Sequence, residues 1–265
     1  MITQQEIKYF IEKIPPTPSV LKATIDFVNQ GELTKAAKIA SKDPALSKYL
    51  TTLVNKPIYG FRNKVHDLSQ IFGILGTSGA KQVLYSYMLS LLSPSKWELF
   101  KLNQILFYDL QAQLSVRWGK ILQHLKIDDK DISSAITLLP ASIIICEALF
   151  KTHQEDVNLL RSVKALDYNT ILKRLGGIDL FDVSEQIAIS WEYPEKISHI
   201  IQAASGIKPS KDEQINLLGK WMHLQLFHTL SQRVFIEAGL NDFVDFQVDY
   251  VEDIYEDFLL LLEET

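Results

Sequence analysis

The sequence predicts an all-α protein, and three observations carry that reading. Apolar residues recur at helical spacing through every long segment. Residues that start and stop helices stand at the segment ends, and turn-bounded runs of alternating polar and apolar residues are absent. A chain of 265 residues buries roughly 70–75% of its unfolded surface, so it needs neither disulfide nor metal to form a core.

The elements follow in order. Thr3 and Glu6 have capping-box spacing and open a helix carrying Ile7, Phe10 and Ile11. The run Ile14-Pro15-Pro16-Thr17-Pro18 is expected to be an extended, rigid lead-in, because proline fixes φ and biases its predecessor away from helix. Ser19 opens an amphipathic stretch ending near Asn29-Gln30-Gly31, and Thr34 is placed to cap a short helix. Asp43-Pro44 sets an acceptor at the N-cap and a proline at the first helical position, starting a helix that ends before Pro57. Beyond the loop containing Tyr59-Gly60, Asp67 caps a helix that Gly76 is placed to stop in a left-handed C′ conformation, with Thr77 or Ser78 restarting the next.

Helical periodicity continues through 97–125, 131–150 and 155–175, then Ser184 to Trp191 and Pro194 to Ala204. A long helix is expected over 211–238 and a final one over 242–264. On that last helix Phe243, Phe246, Tyr250, Ile254, Phe258 and Leu261 share a face. The stripe is expected to close the C-terminal part of the bundle; a docking helix for a partner or a second copy of the chain is the alternative.

Charge and composition narrow the function classes. The single Cys146 fits a reducing compartment, and the start MITQQEIKYFIEK lacks the pattern of a signal peptide. No apolar stretch is expected to reach the ~20 residues of a membrane span. A cytoplasmic protein without a membrane partner is therefore expected. The net charge of −5 disfavours nucleic acid as a partner. That charge is uneven: Val234 to Thr265 holds ten acidic residues and no Lys or Arg, leaving 27 basic against 22 acidic residues before it.

Residues that could carry chemistry are scattered. Six histidines, at 66, 124, 153, 199, 223 and 228, form no HExxH-like pair, so no metal or other cofactor is expected. The run Gly73 to Lys81 imitates a phosphate loop, but Lys81 does not follow a glycine and Gln82 holds the position of the magnesium-binding hydroxyl. Cys146 lies in an apolar run and reads as a buried structural thiol rather than a nucleophile.

Four motifs in order resemble the N-terminal half of the HDOD family: Ile14-Pro15-Pro16-Thr17-Pro18, Asp43-Pro44-Ala45-Leu46, Asn55 with Tyr59-Gly60, and Leu68 to Gly76. The resemblance extends through Gly177-Ile178-Asp179 and Trp191-Glu192-Tyr193-Pro194, covering roughly residues 14–205. It divides the chain into an N-terminal helix (1–13), an HDOD-like domain (14–205) and a C-terminal helical extension packed on it (206–265). The resemblance implies a compact bundle of many helices in two lobes, related to the HD-domain metal phosphohydrolases.

It also implies where metal ligands would stand. Those positions fall on Leu110, on Pro140-Ala141, on Leu180 and around Gln202-Ala203-Ala204. Leucine, proline and alanine side chains offer no lone pair to a metal. The expected function is a non-catalytic bacterial signalling or regulatory protein that binds a signalling protein or a small effector. A divergent HD-type phosphohydrolase and a nucleic-acid-binding regulator are the alternatives. The residues singled out as interaction or structural motif are Asp43, Pro44, Asn55, Tyr59, Gly60, Gly76, Trp191 and Pro194. Asn55 reads either as a polar residue just past its helix or as a buried hydrogen-bonding post for the Tyr59 loop.

Overall fold

Every regular element among the described residues is helical, and six of the helices begin on an aspartate. The structure, a computed structural model, describes residues 1–12, 19–57, 63–94, 96–191 and 193–263. The first N–H groups of a helix have no partner within it, and a carboxylate two or three residues upstream supplies one. Asp43, Asp67, Asp129, Asp167, Asp179 and Asp212 all do so, each accepting from a backbone N–H of the first turn.

The chain divides into two compact units that are not consecutive in sequence: residues 15–93 with 104–137, and residues 1–14 with 94–103 and 138–265. The former contains α2 (Ser19–Asn29), α3 (Leu33–Ala40), α4 (Pro44–Val54), α5 (Leu68–Leu92), α6 (Gln104–His124) and α7 (Lys130–Ala135). Helices α2, α3, α4, α6 and α7 all pack against α5. Phe72, Phe107, Trp118, Leu46 and Leu50 are fully buried there. The Trp118 indole donates to Ile132 O at 2.8 Å, so its one polar atom is satisfied inside the core. Lys81, on the stretch that imitates a phosphate loop, is buried and held by Asp131 at 2.8 Å.

The other unit contains α1 (Gln4–Glu12), α8 (Leu138–Thr152), α9 (Gln154–Lys164), α10 (Tyr168–Gly176), α11 (Leu180–Ser190), α12 (Glu195–Ala204) and α13 (Glu213–Leu230). It ends in α14 (Arg233–Glu237), α15 (Val248–Val251) and α16 (Tyr255–Glu263). Helix α8 packs on α11, α11 on α12 and α12 on α13. The α12–α13 crossing is close enough that a Cβ on Gly219 would lie 2.5 Å from the Ala203 Cβ, so only glycine fits. Phe100, Phe150, Tyr168 and Phe243 form an aromatic cluster with ring centroids 5.0 to 6.2 Å apart, pinning residues 97–103 to α8 and α10. Each such pair adds about 0.5–1.5 kcal/mol beyond its burial.

Several expected boundaries move, each for a local reason. The helix expected over 97–125 starts only at Gln104, because Glu147 captures the backbone N–H groups of Glu98, Leu99 and Phe100. The 155–175 segment breaks at Ala165, which turns left-handed, and restarts on its Asp167 cap. The 131–150 segment breaks between α7 and α8, and the 211–238 segment breaks at Ser231. Helix α11 begins at Leu180, one residue after its cap, rather than at Ser184. Thr34 is not a cap, since α3 starts at Leu33 after Glu32. Gly76 has positive φ (62°) with ψ −173°, so it kinks α5 rather than closing it in a left-handed helical turn. Asp131–Thr152 is apolar and long enough for a membrane span by composition, contrary to expectation, but it is interrupted and mostly buried inside the fold.

The C-terminal segment is not one helix. Val244 is extended, and Gln247 donates its backbone N–H to His223 Nε2 at 3.1 Å, while His223 Nδ1 lies 2.8 Å from Ala204 O. Nδ1 therefore carries the proton, and the neutral ring bridges α12 to the tail. The expected packing of the stripe does occur in part: Phe243, Ile254 and Phe258 are buried, with Val251 beside them, while Asp245, Asp249, Glu252, Asp253, Glu256 and Glu263 are exposed.

Two outcomes follow from this packing. Truncation after Asn241 should lower the melting temperature and promote aggregation; a stable, monodisperse truncated protein would show the tail to be dispensable to the fold. Burial pushes the His223 imidazole below the ordinary histidine value of 6.5. The unfolded chain then takes up the proton first, so this contribution is complete above pH 6.5 and is lost as pH falls from 6.5 through the folded value. Denaturation across that range should show falling stability in the natural protein. A His223→Phe variant should be less stable at pH 7.5, by about 1–3 kcal/mol for the unpaired backbone groups, with a flatter pH profile.

Candidate functional site

The motif residues of the α2–α7 unit fix both ends of α4. Asp43 Oδ1 accepts from Ala45 N at 2.8 Å and Leu46 N at 3.1 Å, and Pro44 occupies the first turn where its missing donor costs nothing. At the other end Asn55 Nδ2 donates to Thr51 O and to Val65 O, both at 2.7 Å, and its Oδ1 accepts from Val65 N at 2.8 Å. The amide thus pairs with both backbone groups of Val65 and ties the end of α4 to that residue. Asn55 is a hydrogen-bonding post that also ends its helix. Tyr59 and Gly60 lie outside the described residues.

Helix α4, so anchored, lines a cleft of about 410 Å³ with the C-terminal part of α5 and the start of α6. Tyr49 packs against Tyr87 (centroids 4.9 Å) and edge-on against Tyr108 (5.5 Å), making an aromatic wall. Leu53 and Leu91 add apolar surface, and Leu91 is left 46% exposed. Gln104 donates to the Tyr108 hydroxyl at 2.8 Å. Lys48 and Lys56 line the cleft, and no carboxylate does among the described residues. Lys56 pairs with Asp109, outside the lining, while Lys48 makes no ion pair among the described residues. Burial, helped by the Asp43 charge, raises the Tyr87 hydroxyl above its usual range, so it stays a neutral phenol.

The positions where metal ligands would be expected are core. Leu110, on α6, is fully buried. In the α8–α16 unit, Pro140, Ala141 and Leu180 are buried, as are Ala203 and Ala204. Ser142 Oγ and Ser184 Oγ join α8 to α11 at 2.5 Å in a buried pair. Asp179, next to Leu180, is spent on a capping box with Asp182, and burial pushes its carboxyl up despite the N–H of Asp182. Gln202 donates to Asp182 at 3.2 Å and Glu185 at 2.7 Å. Cys146 is fully buried and its thiol is pushed up by burial, which makes it inert. Among the described residues no group of three His, Cys, Asp or Glu stands close enough to hold a metal. These residues do not fit the metal that HD relatives use.

Trp191 and Pro194 belong to the α8–α16 unit and form a corner. Trp191 N–H closes α11 onto Ile187 O at 2.9 Å, and Pro194 is the N-cap position of α12. Glu147 was invisible to sequence reading as a polar anchor. Its only signal is a carboxylate inside the apolar run of α8.

A family model described as the HDOD domain matches residues 14–207. Three solved structures share the fold. A Shewanella amazonensis protein provisionally named a phosphohydrolase is 13% identical with a TM-score of 0.63, covering 98% of this chain and 97% of that one. An HDOD domain protein of unknown function from Geobacter sulfurreducens is 15% identical with a TM-score of 0.60, covering 97% and 95%. A second Shewanella amazonensis protein, provisionally named a metal-dependent phosphohydrolase, is 13% identical with a TM-score of 0.52, covering 97% and 98%. A search of curated proteins returned no match.

Asn55→Ala should cost about 1–3 kcal/mol in chemical denaturation, because Val65 N–H and C=O lose their partners together. Asn55→Asp, which removes the donors but keeps an acceptor, should cost a similar amount. Unchanged stability in both variants would show that Val65 is held by something else.

Proposed function

The chain belongs to the HDOD family, and on that premise we propose that it is a non-catalytic signal-transduction protein of the bacterial cytoplasm that works by binding a protein partner or a small effector. The observation that carries the reading is the apolar character of the ligand positions. Metal-assisted phosphoester hydrolysis needs clustered His and carboxylate groups to hold the ion and activate water. Leu110, Pro140, Ala141 and Leu180 supply none, and each is packed into its own unit's core. The phosphohydrolase names of two structural neighbours come with 13% identity, which supports the shared fold and no more.

The binding reading is supported by the cleft on α4, α5 and α6, one wall of which is the helix whose two ends Asp43 and Asn55 fix. Such a protein would act through the population of its bound state and not through turnover. No metal, cofactor or nucleic acid enters this reading, and the overall negative charge is consistent with that.

The purified chain, incubated with Mn²⁺ and dialysed, should retain no stoichiometric metal by elemental analysis. It should hydrolyse nitrophenyl phosphate and bis(nitrophenyl) phosphate no faster than the protein-free control. Retained metal together with turnover would overturn the proposal.

A further inference from the structure

We propose that the cleft lined by α4, α5 and α6 binds a small anion with a flat aromatic body. This deepens the binding reading above and rests on it. The cleft's volume of about 410 Å³ falls within the roughly 300–1,000 Å³ of small-molecule sites. Its surface divides into an apolar and an electropositive part. The apolar part is the Tyr49, Tyr87 and Tyr108 wall with Leu53 and Leu91. A flat ring laid there would cover the exposed part of Leu91 and meet the tyrosines in the offset or edge-on geometry that aromatic pairs prefer.

The electropositive part is Lys48. Of the two lysines in the lining, Lys56 is neutralised by Asp109. The acid at the start of Lys48's own helix, Asp43, has its carboxylate engaged by the Ala45 and Leu46 N–H groups. Among the described residues no carboxylate lines the cleft to serve as counterion to Lys48. An anionic group on the ligand supplies one, and a cationic ligand would be repelled. Two polar groups complete the site. Tyr108 accepts from Gln104, which leaves its own hydroxyl proton to donate, and Thr52 presents an exposed hydroxyl on the turn after Lys48.

The probe is anilinonaphthalenesulfonate, an aromatic anion, titrated into the full chain by fluorescence beside its neutral counterpart phenylnaphthylamine. Saturable, single-site binding of the anion is expected. Lys48→Met should weaken the anion roughly two- to fivefold, the scale of one exposed charge contact, and leave the neutral dye unchanged. Thr52→Trp, which fills the cleft from an exposed position, should abolish both. Both positions face solvent, and unchanged melting temperatures confirm that the variants fold.

Competition then separates the sources of such an anion. Displacement by adenosine monophosphate assigns a nucleotide, and displacement by indoleacetate an aromatic carboxylate. Dye binding that both variants leave unaltered overturns the proposal. So does displacement by inorganic phosphate alone, or by neither aromatic competitor at millimolar concentration. A failure here with the metal and hydrolysis assays still negative removes this site and leaves the non-catalytic reading standing. Phosphoester turnover removes that reading whatever the dye does.

Discussion

The fold depends on carboxylates that capture backbone N–H groups. A chain made of many short helices exposes an unusual number of helix starts, and each start leaves donors that must find an acceptor or face water. Six aspartates meet that demand at α4, α5, α7, α10, α11 and α13, each worth about 0.5–2 kcal/mol. Glu147 extends the same chemistry to a stretch that is not helical. It gathers three consecutive N–H groups of residues 98–100 from within α8, and the Phe100 ring follows them into the aromatic cluster. The cleft depends on this chemistry as well, because Asp43 and Asn55 fix the two ends of the helix that forms its wall.

What could be read in the sequence was the part with local causes. Asp43, Pro44 and Asp67 act within three residues of themselves, so their roles follow from spacing, and the helix boundaries near them are as expected. The boundaries that moved are set from a distance. Residues 97–103 leave the helical path because of Glu147, 47 to 49 positions away. The C-terminal segment, periodic enough to read as one helix, breaks because His223 takes the Gln247 N–H, 24 positions away. Periodicity cannot register such captures, since the captured residues keep their helical spacing.

The site divides in the same way. Asn55 offered two readings in the sequence, and the geometry combines them: it is the C-cap of α4, and its half-buried amide pairs with both backbone groups of Val65. Tyr49, Tyr87 and Tyr108 each sit at ordinary core spacing on a separate helix, so nothing local marks them as one wall. Gly76 was legible as a break in helicity but not in its form, because the sequence specifies that φ is positive more readily than it specifies ψ.

The central claim is that the positions a metal-dependent relative would use for ligands are packing positions in this chain. Leu180 tests it most directly, being fully buried at the first turn of α11 beside the Asp179 cap. The measurement is the melting temperature of a Leu180→His variant in Mn²⁺ and in a chelator. If the position is core, the imidazole loses apolar contacts and hydration without gaining a partner, and the variant melts lower by the same amount in both conditions. A melting temperature restored by Mn²⁺ would mean that the native state binds the ion there, and would contradict the account.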